Sequence, residues 1–457
     1  MKKFIGDKKF YKMLFAVVIP IVLQMFITQF VSLVDNLMIG QVGGSEMTGV
    51  SLANQLLFIF NLGVFGCMAG GTIFATQYFG AKDKRGYQEA FRFKWFLAII
   101  LFIISTVVFL VFDDQLLSFF ISNSSDDVTD PLVVLESGKT YLFVMLLGNL
   151  PFIIKEIYST SLREMKETFV PMISGIIAIF VNMVFNYLLI FGKFGFPELG
   201  VKGAAIATVL SRFVEMFIVV IYSYVKIKKY DYFKGVYSKF ISLKSIKMFI
   251  PKTIILVFNE IFWSLGLTLI LSAYSKRGLD AVAALNICNT VNNVFLTIGT
   301  SFGNAASIIL GIHLGANEIS KAKENSYKIL GFAFLTSIVF ALLMVLCAFF
   351  IPNIYNVSDS IKESAKMLII IGALFIPIAT INCVLYFILR SGGKVLITIL
   401  FDSVFIFVFR MPLAIVLANF TNLDLLTLFF IITAVDALKT LPGYILVNKE
   451  IWLNVIV

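Results

Sequence analysis

The sequence predicts an all-α polytopic membrane protein with twelve transmembrane helices, arranged as two pseudo-symmetric lobes of six helices each. Three observations support this prediction. Apolar residues occur in long runs that short polar segments separate. Basic residues concentrate in every second polar segment. The two halves of the chain repeat short motifs in the same order.

The apolar runs define the helices. Hydrophobic residues make up 59% of the chain and charged residues only 14%, whereas a soluble domain carries roughly 25% charge. A run of about 20 apolar residues suffices to cross a bilayer. Twelve segments meet this requirement, with approximate bounds of 13–39, 48–80, 88–112, 131–160, 168–191, 200–225, 245–274, 279–314, 323–351, 362–389, 394–419 and 423–447.

The basic residues set the orientation. When residue 1 is placed in the cytoplasm, 26 of the 37 Lys and Arg residues lie in cytoplasmic segments and 7 lie on the opposite side. This asymmetry follows the positive-inside rule and predicts that both termini are cytoplasmic. The net charge of +10 then reflects topology and attraction to membrane lipid, not nucleic-acid binding. Short loops and the lack of a targeting extension lead us to expect a prokaryotic inner membrane.

The internal repeat divides the chain into similar halves. Residues 75–83, ATQYFGAKD, match residues 310–318, LGIHLGANE. Six helices per half give both repeats the same orientation, which is typical of transporters that bind substrate between parallel repeats. The predicted N-lobe is 1–225, the C-lobe is 245–457, and a basic cytoplasmic connection at 226–244 joins them.

Several motifs resemble the multidrug and toxic compound extrusion (MATE) family. In chain order they are Pro20, Ser32-Leu-Val-Asp35-Asn-Leu-Met-Ile-Gly40 and Gly43-Gly44, then Ala75–Ala81, then Leu189–Gly192 and Gly200–Thr208. The resemblance covers essentially the whole chain and rests on order, spacing and duplication. It implies two six-helix lobes around a central cavity. It also implies efflux of small organic cations or amphipathic compounds, driven by inward flow of H+ or Na+.

Asp35 is the main candidate for cation coupling. Placing an ionisable residue inside a membrane span costs free energy, so such a residue is expected to have a function. Asn182 and Asn186 are four residues apart, so they share one face of the fifth span. With Thr208 they would bring neutral oxygens beside Asp35, and this cluster resembles the family's N-lobe cation site. Either H+ or Na+ would bind there, although family members tend to have a carboxylate in place of Asn186. The alternatives are a helix-end role for Asp35 and ordinary interhelical hydrogen bonds for the other three.

A second group of candidates lies in the C-terminal half and would bind substrate or a second cation. Its members are Glu260 and Trp263 in the seventh span, Asn286 and Asn289 in the eighth, and Asp402 and Arg410 in the eleventh. Glu260 resembles a glutamate of the family's Na+-linked branch, but the aspartate that is its partner there has no counterpart, because no acid occurs between Glu363 and Arg390. Trp263 would offer cation–π contact. Structural alternatives stay open, among them an ion pair between Asp402 and Arg410.

Two other charge pairs are expected to be structural. Asp436 and Lys439 are three residues apart in the twelfth span, and Arg212 and Glu215 have the same spacing in the sixth. Opposite charges at this spacing are neighbours on a helix and neutralise each other.

The motifs also limit the function. No GxxxxGK[ST] phosphate loop occurs and His313 is the only histidine, so we expect neither ATP hydrolysis nor a multi-His metal site. The chain is therefore expected to be no enzyme and to need no cofactor besides its coupling ion. The leading hypothesis is a monomeric cation-coupled antiporter. The alternative is a flippase for lipid-linked saccharide, which would be expected to line its cavity with several Arg or Lys.

Overall fold

Helices form all of the regular structure in the described part of the chain. The computed structural model describes residues 2–122, 130–225, 231–355 and 357–457. Its α-helices are α1 (Lys8–Gly40), α2 (Gly44–Gly80), α3 (Lys84–Val111), α4 (Asp113–Ser122), α5 (Pro131–Glu164), α6 (Phe169–Ile190), α7 (Gly200–Val225), α8 (Leu243–Ser275), α9 (Leu279–Gly315), α10 (Ile319–Phe350), α11 (Asp359–Ser391), α12 (Val395–Ile399), α13 (Met411–Phe420), α14 (Leu425–Ala434) and α15 (Asp436–Asn448). Short 3-10 turns and two π-helical segments, Leu400–Val404 and Ile406–Arg410, complete this structure.

Twelve helical stretches of the described chain are long and apolar enough to cross a membrane, which confirms the predicted number of spans. The eleventh span runs from α12 through both π-helical segments into α13, and the twelfth consists of α14 and α15. The longest helices, such as α2 with 37 residues, exceed the roughly 20 residues that a bilayer requires. Such a helix must tilt or project beyond the membrane core.

The described chain divides into two compact units. The N-unit consists of Leu23–Ala75 and Lys84–Thr253, and within it α7 packs along α5 and α6. The C-unit consists of Met1–Val22, Thr76–Asp83 and Ile254–Val457, and within it α11 packs along α9 and α10. Helices α1, α2 and α8 therefore each contribute residues to both units. The lobe boundaries that we place around the basic connection stay a prediction.

The predicted basic connection is folded against α3 in the N-unit. Asp231 pairs with Lys84 at 2.5 Å. The amide nitrogen of Gln88 donates to two backbone carbonyls of the connection at 3.1 and 2.8 Å, and the side chain of Phe233 is buried. Residues 226–230 of the connection lie outside the described residues. Because an acidic residue, backbone carbonyls and one apolar side chain make these contacts, the basic composition of the connection did not predict them.

A fully buried ion pair joins α3 to α5 in the N-unit. Lys94 Nζ lies 2.5 Å from Glu164 Oε1, and the two side chains are 0% and 1% exposed. The count of basic residues above includes Lys94 among those of the cytoplasmic segments, and it did not predict that the side chain is buried. Thr72 donates to Glu164 at 2.6 Å and Lys94 donates to Ser161 at 3.1 Å. These hydrogen bonds and the opposite charge compensate for the removal of both groups from water.

Candidate functional site

Four predicted residues come together within the N-unit. Asp35 stands on α1, Asn182 and Asn186 stand on α6, and Thr208 stands on α7. The two asparagines are one turn apart and buried, on the side of α6 that faces Thr208. The spacing of four predicted that both asparagines share one face of α6. In the structure this shared face is the one that contacts Asp35.

Asp35 is the centre of this cluster. Asn186 Nδ2 donates to Asp35 Oδ1 at 2.6 Å. The amide orientation of Asn182 follows from its neighbours. With the nitrogen toward Asp35, Nδ2 lies 2.8 Å from Oδ1 and 3.2 Å from Oδ2, and the oxygen accepts from Thr208 Oγ1 at 3.3 Å. One chain of hydrogen bonds therefore runs from α1 through α6 to α7.

The carboxylate of Asp35 has no counter-ion in the described chain, where no Lys or Arg nitrogen comes within 4.0 Å of it. The side chain is partly exposed, whereas Asn186 is only 1% exposed. Asn186 Oδ1 is buried and accepts no hydrogen bond from any described residue. A membrane-embedded carboxylate without a paired cation is by default a functional-site candidate. This one is available to a proton or to a metal cation.

Tyr141 on α5 belongs to the same neighbourhood, although the sequence analysis did not identify it. Its side chain is 5% exposed. Its hydroxyl faces Asn54 and Thr208, and it interacts electrostatically with Asp35. A tyrosine inside an apolar run carries no sequence signal that separates it from other buried aromatic residues, so only the fold reveals this proximity.

The charges of the last two spans pair differently from the prediction. Arg410 Nη1 lies 3.0 Å from Asp436 Oδ2, and Lys439 Nζ lies 3.3 Å from Asp402 Oδ1. The expected pair of Asp436 with Lys439 is therefore wrong, and of the alternatives left open for Asp402 and Arg410 the structure shows partners on another span, not an ion pair between the two. For Asp402 and Arg410 the prediction assumed α-helical spacing, but both residues lie in π-helical segments, Leu400–Val404 and Ile406–Arg410. Each charge finds its partner on the neighbouring span instead.

Asn259 on α8 holds the π-helical part of the eleventh span. Its Nδ2 donates to Asp402 Oδ2 at 3.3 Å and lies 3.2 Å from the hydroxyl of Tyr386. Ser403 donates back to the backbone carbonyl and to Oδ1 of Asn259, at 2.8 Å each. Asp402 is thus fixed by an amide and an ammonium, which fits a structural role better than a cation site.

Glu260, Trp263, Asn286 and Asn289 are not gathered into one contact network. Glu260 is partly exposed and makes no hydrogen bond or ion pair with another described residue. Its nearest charges are those of Arg390 and Asp402. Trp263 is half-buried, Asn286 is exposed and Asn289 is half-buried. The predicted grouping of these residues with Asp402 and Arg410 stays a prediction.

The expected ion pair of Arg212 with Glu215 is also wrong. Glu215 Oε2 lies 3.5 Å from Lys155 Nζ on α5. Arg212 donates to Asn149 at 3.2 Å and lies 4.9 Å from the centre of the Phe152 ring. As in the C-unit, contacts between helices replace the pairing expected along one helix, because buried charges take the hydrogen-bond partners that tertiary packing supplies.

One sequence pattern that is typical of hydrolases occurs in the chain without the local structure that hydrolases need. Residues 299–303 read GTSFG and match GxSxG. A nucleophile elbow needs a sharp turn between a strand and a helix, but these residues lie inside α9 and Ser301 donates to the carbonyl of Thr297 at 2.7 Å. The hydroxyl is therefore used within the helix and is not presented for attack.

Relatives of the chain are found over most of its length. The profile of the family described as MatE matches residues 20–188 and 253–416, one stretch in each predicted half. A "Probable multidrug resistance protein NorM" of Thermotoga maritima is 28% identical over 398 residues, which are 86% of this chain and 82% of that protein. A protein of the same name from Oceanobacillus iheyensis is 24% identical over 419 residues, 90% and 91% of the two chains.

Solved structures share the fold. The "Outward-facing conformation of a multidrug resistance MATE family transporter of the MOP superfamily" matches with a TM-score of 0.87 and 18% identity, over 98% of this chain and 97% of that one. The "Crystal structure of MATE in complex with MaL6" matches with a TM-score of 0.84 and 18% identity, over 98% of both chains. Together with the family profile that covers both repeats, this likeness shows that the chain belongs to the MATE family and is a membrane transporter rather than an enzyme.

Proposed function

We propose that this transporter exports cationic or amphipathic small molecules in exchange for protons, and that Asp35 is the group that binds the proton. The observation that carries the proposal is the hydrogen-bonded chain from Asp35 to Thr208, in which the carboxylate has no counter-ion. The relatives named as multidrug resistance proteins support drug-like compounds as the cargo class.

The exchange follows from the charge of Asp35. As a carboxylate it accepts hydrogen bonds from Asn186 and Asn182 and attracts a cationic cargo. When a proton binds, the attraction is lost and the cargo is released. Loss of the proton on the other side of the membrane restores the carboxylate, and the next cargo binds. The proton and the cargo thus compete for the same negative charge. Alternating access exposes that charge first to one side of the membrane and then to the other.

The donor set favours a proton over Na+. Hard metal cations take several oxygen ligands, whereas the amide nitrogen of Asn186 points at Asp35. The described residues contain no group of three or more His, Cys, Asp or Glu that could hold a metal ion, so Asp35 would supply the only negative charge. Na+ is the second candidate, because Asn186 Oδ1 and Thr208 Oγ1 offer neutral oxygens nearby.

Glu260 supports a cationic cargo. It is a partly exposed carboxylate in a membrane span and lacks a hydrogen-bonded partner among the described residues. Trp263, three residues further along α8, would offer its ring face to the same cation. Asp402 differs, since Lys439 and Asn259 already engage it. The proposal also includes a monomer with cytoplasmic termini in a prokaryotic inner membrane.

Dye export from proteoliposomes tests the coupling. Wild type, Asp35→Asn and Asp359→Asn are compared under a pH gradient and, separately, under a Na+ gradient. Asp359 is the matched control, because its carboxylate is fully exposed at the start of α11. We expect export of a cationic dye under the pH gradient, its loss in Asp35→Asn, and wild-type export in Asp359→Asn.

Any other outcome would indicate a different coupling ion, a different coupling residue or a different function. Export that only the Na+ gradient drives would replace the proton by Na+. Export by Asp35→Asn at the wild-type rate would refute coupling at Asp35. If folded protein exports no cationic dye under either gradient, the flippase for lipid-linked saccharide becomes the better hypothesis.

A further inference from the structure

The repeated motifs at the ends of α2 and α9 meet in a reciprocal contact within the C-unit. A Cβ atom added to Gly80 would collide with the carbonyl oxygen of Ile312, and one added to Gly315 would collide with the carbonyl oxygen of Gln77. Gly80 and Gln77 occupy the repeat positions of Gly315 and Ile312. Each glycine thus lets its own helix approach the backbone of the other helix closely, as small residues do in membrane helix packing.

Gln77 departs from the repeat, because its counterpart Ile312 is apolar. The Gln77 side chain is fully buried. Its Nε2 donates to the carbonyls of Ser391 and Asn454 at 3.1 and 3.2 Å, and its Oε1 accepts from the backbone N–H of Ile456 at 2.9 Å. A buried amide keeps such bonds because leaving them unmade is costly. Gln77 therefore joins the end of α2 to α11 and to the last residues of the chain.

The same last residues are fixed at other points of the C-unit. Trp452 is 1% exposed, and its Nε1 donates to the carbonyl of Val447 at 3.2 Å. Asn454 Nδ2 donates to the carbonyl of Gly392 at 3.3 Å. A Cβ atom on Gly392 would collide with the carbonyl oxygen of Trp452. We call residues 450–456 the C-terminal clasp.

We propose that the C-terminal clasp gates transport: it holds the end of α2 against the end of α9, and it must release before these ends can separate. The proposal rests on the alternating access proposed above, which requires a closed barrier on one side of the membrane to open. Two backbones in close contact through Gly80 and Gly315 make a barrier without a gap for cargo. Gln77 is then a positioning residue, since its three hydrogen bonds tie opening of the barrier to release of the clasp.

Hydrogen exchange of the full-length protein tests whether Gln77 docks the clasp. Gln77→Leu is expected to speed exchange of the peptide 450–457 by roughly tenfold or more, because each lost hydrogen bond is worth a factor of roughly 2 to 10. Gln88→Leu is the matched control. It breaks two hydrogen bonds to the connection in the N-unit and should leave peptide 450–457 unchanged. Wild-type exchange of that peptide in Gln77→Leu would overturn the proposal.

Cross-linking tests whether release is required. In a variant whose native cysteines are replaced, Gln77→Cys with Ile456→Cys is joined by a reducible bifunctional thiol reagent. The control pair, Glu363→Cys with Lys366→Cys, joins two side chains that already pair at the exposed start of α11 and leaves the clasp unrestrained. We expect the first cross-link to abolish dye export and to slow exchange at 76–83 about tenfold. Reduction should reverse both effects, and the control should show neither.

The outcomes separate the gate from the transport function. Export that continues with the first cross-link in place would overturn the gate. If the reduced protein exports nothing under any gradient, the proposed antiport fails, and exchange alone decides about the clasp. In that case slower exchange at 76–83 with the first cross-link, compared with the control cross-link, supports the clasp as a barrier lock, and equal exchange overturns it.

Discussion

Glu164 supplies the only carboxylate that pairs with the buried ammonium of Lys94 in the described chain. In Glu164→Gln, Lys94 would keep its hydrogen bonds to Ser161 and Thr160 at 3.1 and 3.3 Å but lose its counter-charge. Removing one partner of a buried pair costs about 3–5 kcal/mol, because an uncompensated charge stays in the interior. We expect Glu164→Gln to lower the free energy of unfolding by this amount.

Removing both charges is expected to cost less than removing one. In the double variant Lys94→Met and Glu164→Gln, no charge is buried, and the new amide oxygen can still accept from Thr72. The two changes should therefore be strongly non-additive. The control is Glu363→Gln, which breaks an exposed pair with Lys366 at 3.1 Å. Such surface pairs contribute about 0–1 kcal/mol.

Reversible unfolding in mixed micelles, with increasing SDS and circular dichroism as the readout, gives these free energies. The comparison needs wild type, both single variants, the double variant and the exposed control. A Glu164→Gln variant within 1 kcal/mol of wild type would refute the reasoning, as would additive single variants. Either result would mean that water or a rearranged side chain solvates Lys94.

Two further predictions concern charge partners. A double-mutant cycle on Arg410 and Asp436 should give a coupling of about 1–3 kcal/mol, because their side chains are only 18% and 19% exposed, and a cycle on Arg410 and Asp402 should give none. Measurable coupling between Arg410 and Asp402 would restore the pairing within one helix. The hydrogen bond from Lys84 holds the pKa of Asp231 below its ordinary value, which is about 3.9. A lowered pKa stabilises the docked connection above pH 3.9, and this contribution is lost as the pH falls through the lower folded-state pKa. Exchange of peptide 231–238, corrected for the intrinsic rate, should therefore rise below about pH 4, and Asp231→Asn should abolish that rise. If Asp231→Asn showed the same rise in exchange, a different titrating group would be responsible for it.

The number of spans could be predicted from the sequence because the requirement is local. A bilayer needs about 20 apolar residues wherever a helix crosses it, and no tertiary contact changes that need. The same holds for Asn182 and Asn186, since a spacing of four places both on one face of any α-helix. Their contact with Asp35 followed once the resemblance placed the first and fifth spans together.

The charge partners could not be predicted, since they depend on tertiary packing. The alternative of an ion pair between Asp402 and Arg410 assumed regular α-helical winding, but both residues lie in π-helical segments. Lys94 sits next to a basic loop in sequence, and only packing against Glu164 shows that it is buried. Nor does the spacing of Gln77 indicate that the end of the chain returns to it from 379 residues away.

The pair of Lys94 and Glu164 also bears on how the chain enters the membrane during synthesis. The two charges stand on consecutive spans, α3 and α5. A charged residue at the centre of a helix inserted alone costs up to about 2.5–3.5 kcal/mol. If α3 entered the lipid before α5 was made, Lys94 would carry such a cost without a partner. Insertion of the two helices as one hairpin would avoid this cost, so we expect neutralisation of Lys94 to be an early step of biogenesis rather than a late step of packing.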